Sequence, residues 1–141
     1  MSAFVAAIGA GDAPVSLPDA CVAALAVPGA QPARTMAVAG FACAVAPTRR
    51  RESGVRHDGD VVVVGDVRID ARAELMSALR AAPAGDARAP IPVDGDDLAL
   101  VLAAYAAWRE GAFGRLIGDF AFVLWDGGAR RAWAVRDGMG V

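Results

Sequence analysis

Three side chains of reactive type stand out in this sequence, and none has a partner at a spacing that defines a site. Cys21 and Cys43 form neither a CxxC pair nor a metal-ligand pattern, and alanine and valine surround both. Small buried hydrophobic residues are the favoured interpretation of the two cysteines. The single histidine, His57, lies in the polar stretch 53–60. Ser-His-Asp or Cys-His catalysis through His57 stays open, but a histidine in a surface loop is favoured.

Composition and charge narrow the class of protein. The chain has 141 residues, enough for one domain with a sizeable core. Its net charge is −2, so no basic surface for nucleic acid is expected. No apolar run reaches the roughly 18 residues of a membrane helix, and no basic segment opens the chain as in a secretory signal. We therefore expect a cytoplasmic protein that binds neither nucleic acid nor a membrane.

The first half of the chain contains short apolar runs separated by turn residues. Ala3 to Ile8 predicts a buried strand that Gly9 ends. Leu17 to Val27 has apolar residues at helical spacing and predicts a short helix. Met36 to Ala46 is apolar and predicts one strand, and a polar loop is expected from Pro47 to Gly59. This half of the chain therefore predicts two strands, one helix and a loop.

A run of four valines from Val61 to Val64 begins the better-defined half of the chain. Branched side chains of this kind favour a buried strand. Asp70 can cap a helix from Ala71 to about Ala82, with leucines and Met76 on one face and arginines on the other. A proline-rich loop is expected from Pro83 to Pro92.

A second helix and a hairpin complete the predicted elements. The helix starts behind Asp96 and Asp97, runs to Trp108 or Arg109 and can end at Gly111. It is apolar on most of its circumference, so we expect it to be covered on most sides. The run from Leu116 to Trp125 alternates two apolar faces, turns at Asp-Gly and returns from Ala132 to Val135. Strands at both ends with two helices between them predict an α+β fold.

Three segments in the second half resemble the asparagine synthetase family. The residues Gly118–Asp126, followed by Arg136–Val141, resemble the family's GDFAFALWD…ARDRLGV signature. Asp97 to Tyr105 is similar to its SDxExILxAY helix, and Val64 to Asp70 is similar to its NGEIYN segment. The order of the three segments is also that of the family. The resemblance covers the N-terminal, class II glutamine amidotransferase-like domain that precedes the synthetase domain.

This resemblance implies a fold and a chemistry. The fold is a four-layer αββα sandwich of the N-terminal-nucleophile hydrolase type, which would be incomplete at the C-terminus of this chain. In active members an N-terminal cysteine, with its own α-amine as base, attacks the glutamine side-chain amide. Position 2 here is Ser2, at the family's nucleophile position. Gly65 matches the glycine of the oxyanion pair, and Asp97 matches the aspartate that binds the substrate's α-amino group.

Two departures from the family pattern point to a domain that no longer hydrolyses glutamine. Val64 stands where the oxyanion asparagine belongs, and valine has no donor. The substrate-binding arginine loop is not recognisable, although Arg49 to Arg51 lie in that region. β-Lactam synthetases and lasso-peptide cyclases resemble asparagine synthetase and need no ammonia. We therefore expect a glutaminase-inactive domain of an ATP-dependent amide-forming ligase, with the lasso-peptide cyclase branch favoured.

The expected partners and cofactors follow from the same resemblance. Residues 1–141 would be the N-terminal part of a longer protein whose synthetase domain is the partner. ATP and magnesium are implied for that missing domain, with no cofactor in this chain, and a precursor peptide or glutamine is a further possible ligand. Two alternatives stay open: a working glutaminase domain of an asparagine synthetase using Ser2, and a stand-alone binding module of this fold.

Overall fold

In the computed structural model, residues 3–11, 13–26, 32–46, 53–83 and 96–138 are described. Seven strands lie within these ranges: β1 Phe4–Ile8, β2 Arg34–Val38, β3 Phe41–Val45, β4 Ser53–Asp58, β5 Val61–Ile69, β6 Gly118–Asp126 and β7 Arg131–Arg136. Three α-helices accompany them: α1 Asp19–Ala23, α2 Arg72–Ala81 and α3 Asp97–Trp108. A 3-10 helix, Arg109–Arg115, follows α3 directly. The predicted α+β class is confirmed.

The described strands form two antiparallel sheets. One sheet has three strands in the order β1-β3-β2, and the other has four in the order β4-β5-β6-β7. The valine strand β5 lies inside the larger sheet, where Val61 pairs with Asp126 and Ile69 pairs with Gly118. Its branched side chains suit this position because the strand is covered on both faces. The predicted hairpin is present as β6 and β7.

Side chains of alternating residues on β5 enter different clusters. Val63 and Val67 pack with the leucines of α2 and α3. Val62 and Val64 pack against the three-stranded sheet. The hairpin behaves in the same way, because Phe120, Phe122 and Leu124 join the helix-side cluster while Val123 and Trp125 join the other. Both faces of the four-stranded sheet are thus apolar and covered, as the two-sided alternation predicts.

Helix α3 is the most enclosed helix of the described part of the chain. Asp96 caps its first turn, since the carboxylate accepts a hydrogen bond from the Ala99 amide at 3.2 Å. Seven of its twelve residues are buried, and six of them, Leu100 to Tyr105, are consecutive and therefore point to all sides of the helix. This confirms the expectation of a helix covered on most sides. Gly111 does not end it, because α3 ends at Trp108 and passes into the 3-10 helix.

Two predictions for the first half were wrong. The segment from Met36 to Ala46 is not one strand but parts of β2 and β3, which reverse at Gly40 with a φ of 74°. The predicted loop from Pro47 to Gly59 contains strand β4. Polar side chains are tolerated on this strand because it lies at the sheet edge. All six of its residues pair with β5. Cross-strand pairing has overridden the local polar composition.

Two further predictions need smaller corrections. Asp70 does not cap α2: Ala71 occupies the N-cap position without a side-chain bond, and the Asp70 carboxylate contacts Arg68 Nε at 3.2 Å. Helix α1 spans only five residues instead of the stretch from Leu17 to Val27, and Val27 itself lies outside the described residues. Most of the predicted proline-rich loop also lies outside them. No described helix is long and apolar enough to cross a membrane.

Candidate amidotransferase site

Val64 occupies a buried, apolar position between the two sheets. Its side chain has no exposed surface and belongs to the cluster that contains Phe41, Cys43 and Trp125. Strand β5 directs it there by alternation, since Val62 and Val64 share one face. A valine in these surroundings offers only van der Waals contact. The position that the family resemblance assigns to an oxyanion donor is therefore an apolar core position in this chain.

Gly65 is the next residue, and its lack of a side chain is required by packing. It pairs with Gly54 on β4 and with Phe122 on β6. A Cβ atom placed on Gly65 would lie 2.3 Å from the Ala121 carbonyl oxygen and 2.5 Å from the Phe122 Cα atom. These distances are shorter than van der Waals contact, and the atoms concerned belong to the backbone of β6, which cannot move away without separating the two strands. Close approach of β5 and β6 thus explains this glycine without reference to a ligand.

Asp97 is engaged through both of its carboxylate oxygens. Oδ2 accepts a hydrogen bond from the Ile69 amide at 2.9 Å. Oδ1 forms an ion pair with Nη1 of Arg72 in the first turn of α2. The Asp97 side chain is only 16% exposed. These contacts join the start of α3 to the end of β5 and to α2.

The structure does not bring Asp97 and Gly65 to one point. The Asp97 carboxylate contacts Ile69, which lies four residues beyond Gly65 on β5. At the usual strand rise this places the two positions on β5 about 13 Å apart. Ser2 and the stretch from Arg49 to Arg51 lie outside the described residues. The predicted site residues are thus not assembled within the described part of the chain.

The start of β1 is nevertheless fixed beside the end of β3. The Ala46 amide donates to the Ala3 carbonyl at 2.9 Å, and Phe4 pairs with Val45. Phe4 also packs against the cluster between the sheets that contains Val64. The chain therefore enters the fold at the edge of the same apolar interior in which Val64 is buried.

The other reactive side chains do not form a catalytic group. His57 lies on the edge strand β4 instead of in a loop, and it is exposed as predicted. Cys43 is 1% exposed in the cluster between the sheets and packs there as an apolar residue, and this burial raises the pKa of its thiol to about 11. Cys21 is only half-buried on α1, which corrects the prediction for that residue. Among the described residues, no group of three His, Cys, Asp or Glu could hold a metal ion.

Two polar arrangements were missed in the sequence. Arg72, the partner of Asp97, places a cation in the first turn of α2, where the helix dipole disfavours positive charge. An unfavourably placed arginine of this kind indicates an acidic partner elsewhere in the chain. Tyr105 lies in the apolar helix, where the sequence gives no sign of a polar role, yet its hydroxyl donates to Asp126 Oδ2 at 2.8 Å in the interior. Burial and the bond to Asp126 raise the pKa of Tyr105 to about 12.

A comparison with protein families agrees with this architecture. A family model described as a glutamine amidotransferase domain matches residues 43–141, which is more than half of the chain. The chain therefore belongs to the glutamine amidotransferase domain family. The match includes Val64, Gly65 and Asp97 but begins after Ser2. A search of the curated proteins found no match.

Proposed function

We propose that this chain is a degenerate, glutaminase-inactive amidotransferase-like domain of an asparagine-synthetase-like, ATP-dependent amide-forming ligase. The observation that carries the proposal is the burial of Val64. Its side chain is fully enclosed by apolar residues at the position that matches the family's oxyanion asparagine. Loss of one oxyanion donor reduces the rate of such reactions by about 10²–10³-fold. Glutamine could bind, but its tetrahedral intermediate would lack this stabilisation.

The engagement of Asp97 supports the same proposal. A substrate ammonium group would have to displace Arg72 from Oδ1 and compete with the Ile69 amide at Oδ2. The guanidinium is tethered to α2, so its loss from Asp97 would also loosen the contact between the two helices. The internal ion pair therefore competes with the substrate for Asp97. In this proposal Asp97 and Gly65 are retained for folding, and Ser2 is a residue at the nucleophile position without turnover.

The fold of the whole domain is part of the proposal. We infer a four-layer αββα sandwich for residues 1–141, as the N-terminal part of a longer protein. Three separate clusters support this: one between the helices and the larger sheet, one between the sheets, and one in which Leu25 near α1 packs on Ala44 and Ala46 of the smaller sheet. The partner would be a synthetase domain of the same protein, which would bind ATP and magnesium.

Within this class we favour the branch of lasso-peptide cyclases and β-lactam synthetases. These relatives activate a carboxylate with ATP and let an amine of the substrate attack it, so they need no ammonia. A buried valine at position 64 is tolerable in such an enzyme, whereas it is damaging in one that depends on glutamine. Genes for a short precursor peptide and a peptidase beside this one would support the cyclase branch, and their absence would count against it.

A working glutaminase domain is the second candidate. Membership of the glutamine amidotransferase domain family favours it. Its nucleophile would be Ser2, which requires removal of Met1 and an α-amine base. A stand-alone binding module of this fold is the third. DNA beyond codon 141 that encodes a Ser-Gly-Gly-x-Asp-Ser loop would exclude the module and support the ligase.

The ligase proposal is tested on the full-length protein by measuring AMP formation. Under the proposal, ligation of a supplied amine-bearing substrate forms AMP at the same rate with and without glutamine. Val64→Ala is the matched variant, because it perturbs the same position without adding a donor. A ligation rate that depends on glutamine, with ammonia able to replace it, would support the glutaminase candidate and contradict the proposal.

A further inference from the structure

A small cavity lies where turns of the two sheets meet, and its lining includes none of the residues that match the amidotransferase site. Its volume is about 140 Å³, and its lining residues are Val38, Ala39, Asp60, Trp125, Gly127 and Arg130. The cavity is beside the start of β5, whereas Asp97 contacts Ile69 at the other end. At the usual strand rise these ends of β5 are about 26 Å apart. The cavity is therefore distant from Asp97, and Val64 and Gly65 are not among its lining residues.

The indole of Trp125 supplies a buried donor beside this cavity. Its ring is stacked on Phe41, with the centroids 5.9 Å apart, and the residue is 3% exposed. Its Nε1–H group has no hydrogen-bond partner among the described residues. Because an unpaired buried donor is unfavourable, an acceptor that reaches this group is bound in preference to an apolar group.

Gly127 keeps the wall of the cavity open beside the indole. A Cβ atom on Gly127 would lie 3.1 Å from the Asp60 carbonyl oxygen and 3.4 Å from Trp125 Nε1. A side chain at this position would therefore fill the space next to both polar atoms. Without one, the side of the indole Nε1–H that faces Gly127 is not blocked by a side chain.

The charges on the wall select the kind of ligand. Asp60 and Arg130 both line the cavity, and both residues are exposed. A simple anion would meet the Asp60 carboxylate, and a simple cation would meet the Arg130 guanidinium, so each would face a like charge. A zwitterion meets both with the correct sign. Val38 and Ala39 add an apolar wall for a short side chain.

We propose that this cavity binds a small zwitterionic α-amino acid. The ligand carboxylate accepts from the Trp125 Nε1–H and Arg130, and the ammonium group donates to Asp60. The volume equals that of between four and five water molecules at about 30 Å³ each. This suits an amino acid of about five to seven non-hydrogen atoms, such as glycine or alanine. The proposal does not depend on whether the domain hydrolyses glutamine.

The test follows the indole N–H signal of Trp125 in ¹H–¹⁵N spectra of the full chain. Trp125→Phe identifies the signal and keeps an aromatic ring at the position, and Trp133→Phe is the matched control outside the cavity. Glycine and alanine should shift the Trp125 signal in a saturable way. Acetate and methylammonium, which carry one charge each, should bind at least tenfold more weakly. Gly127→Ala and Asp60→Asn should each raise the dissociation constant for glycine at least tenfold.

The wild-type titration decides the question even if a variant folds poorly. A Trp125 signal that stays in place with all four probes means that the cavity holds only water, and this would overturn the proposal. Acetate binding as tightly as glycine would also overturn it, because the site would then be an anion site without a role for Asp60.

Discussion

The two faces of the four-stranded sheet are both apolar, but they differ in the polar contacts that accompany the apolar packing. On the face toward the helices, carboxylates fasten α3 in place: Asp97 contacts the Ile69 amide and Arg72, and Asp126 accepts from Tyr105. On the face toward the three-stranded sheet, Val62 and Val64 meet Phe41, Cys43 and Trp125 in an apolar interior. The amidotransferase resemblance needs a polar donor on the second face, at Val64. The comparison shows that Asp97 and Asp126 hold the helix layer on the sheet, while the surroundings of Val64 are packed as apolar core.

Substitution of Gly65 should give the largest loss of stability and would show that this residue serves packing. Gly65→Ala places a Cβ atom 2.3 Å from the Ala121 carbonyl oxygen, so β5 and β6 must separate. We expect a loss of about 3 kcal/mol or more in the free energy of unfolding, measured by urea denaturation. Gly114→Ala, where an added Cβ has no neighbour within 4 Å, is the control and should change it by less than about 0.5 kcal/mol. A loss below about 1 kcal/mol for Gly65→Ala would contradict the close-packing account.

Restoring an amide at position 64 tests the apolar face directly. Val64→Asn buries a polar group among Phe41, Cys43 and Trp125, and we expect a loss of about 2–3 kcal/mol. Val135→Asn, on a half-buried position of the edge strand β7, is the control and should lose less. Thermal and urea denaturation give the comparison. An unchanged free energy of unfolding for Val64→Asn would contradict the apolar environment of this face.

Asp97 tests the fastening role of the helix-facing carboxylates. Asp97→Asn keeps an acceptor for the Ile69 amide but removes the charge that faces Arg72. We expect a loss of about 2 kcal/mol, because a part-buried guanidinium is left without its counter-charge. Asp119→Asn breaks a pair with Arg68 in which both side chains are about half exposed, and should cost at most about 0.5 kcal/mol. Equal losses of unfolding free energy for the two variants would show that the Asp97–Arg72 pair stabilises the fold no more than a surface ion pair does.

Tyr105 gives the smallest effect at neutral pH and a pH dependence of definite sign. Tyr105→Phe removes the hydrogen bond to Asp126 and should cost about 1 kcal/mol. The folded chain holds the phenolic proton up to a pKa of about 12, while the unfolded chain releases it near 10. The unfolded state therefore loses protons first, and this contribution to stability falls as the pH rises from 10 to 12. Unfolding curves over that range should fall more steeply for the wild type than for Tyr105→Phe.

Most of the second half of the fold could be predicted from the residues themselves. The valine run, the Asp-Gly turn and the capped apolar helix are local patterns, and each carries its own physical reason. Strand β4 could not be predicted in this way, because its partner is the valine strand and its own residues are polar. The turn at Gly40 could not be predicted either, because a single glycine in an alanine-rich run is a weak indication of a turn.

The site was less predictable than the fold. Gly65 and Asp97 match a family pattern, and such a pattern does not distinguish a residue needed for packing from one that binds a ligand. The contacts of Asp97 with Arg72 and Ile69 join segments 25 and 28 residues apart, so no local spacing could reveal them. Val64 differs: its lack of a donor was evident in the sequence, and the structure adds that its surroundings are apolar as well.

The most direct test of the central claim is release of glutamate from glutamine by the purified protein. Wild type and Ser2→Ala are measured side by side, after mass spectrometry has established whether Met1 is removed. We predict that both give the same background rate, because the domain lacks the donor at position 64. Glutamate release by the wild type that disappears in Ser2→Ala would contradict the account and identify a working amidotransferase.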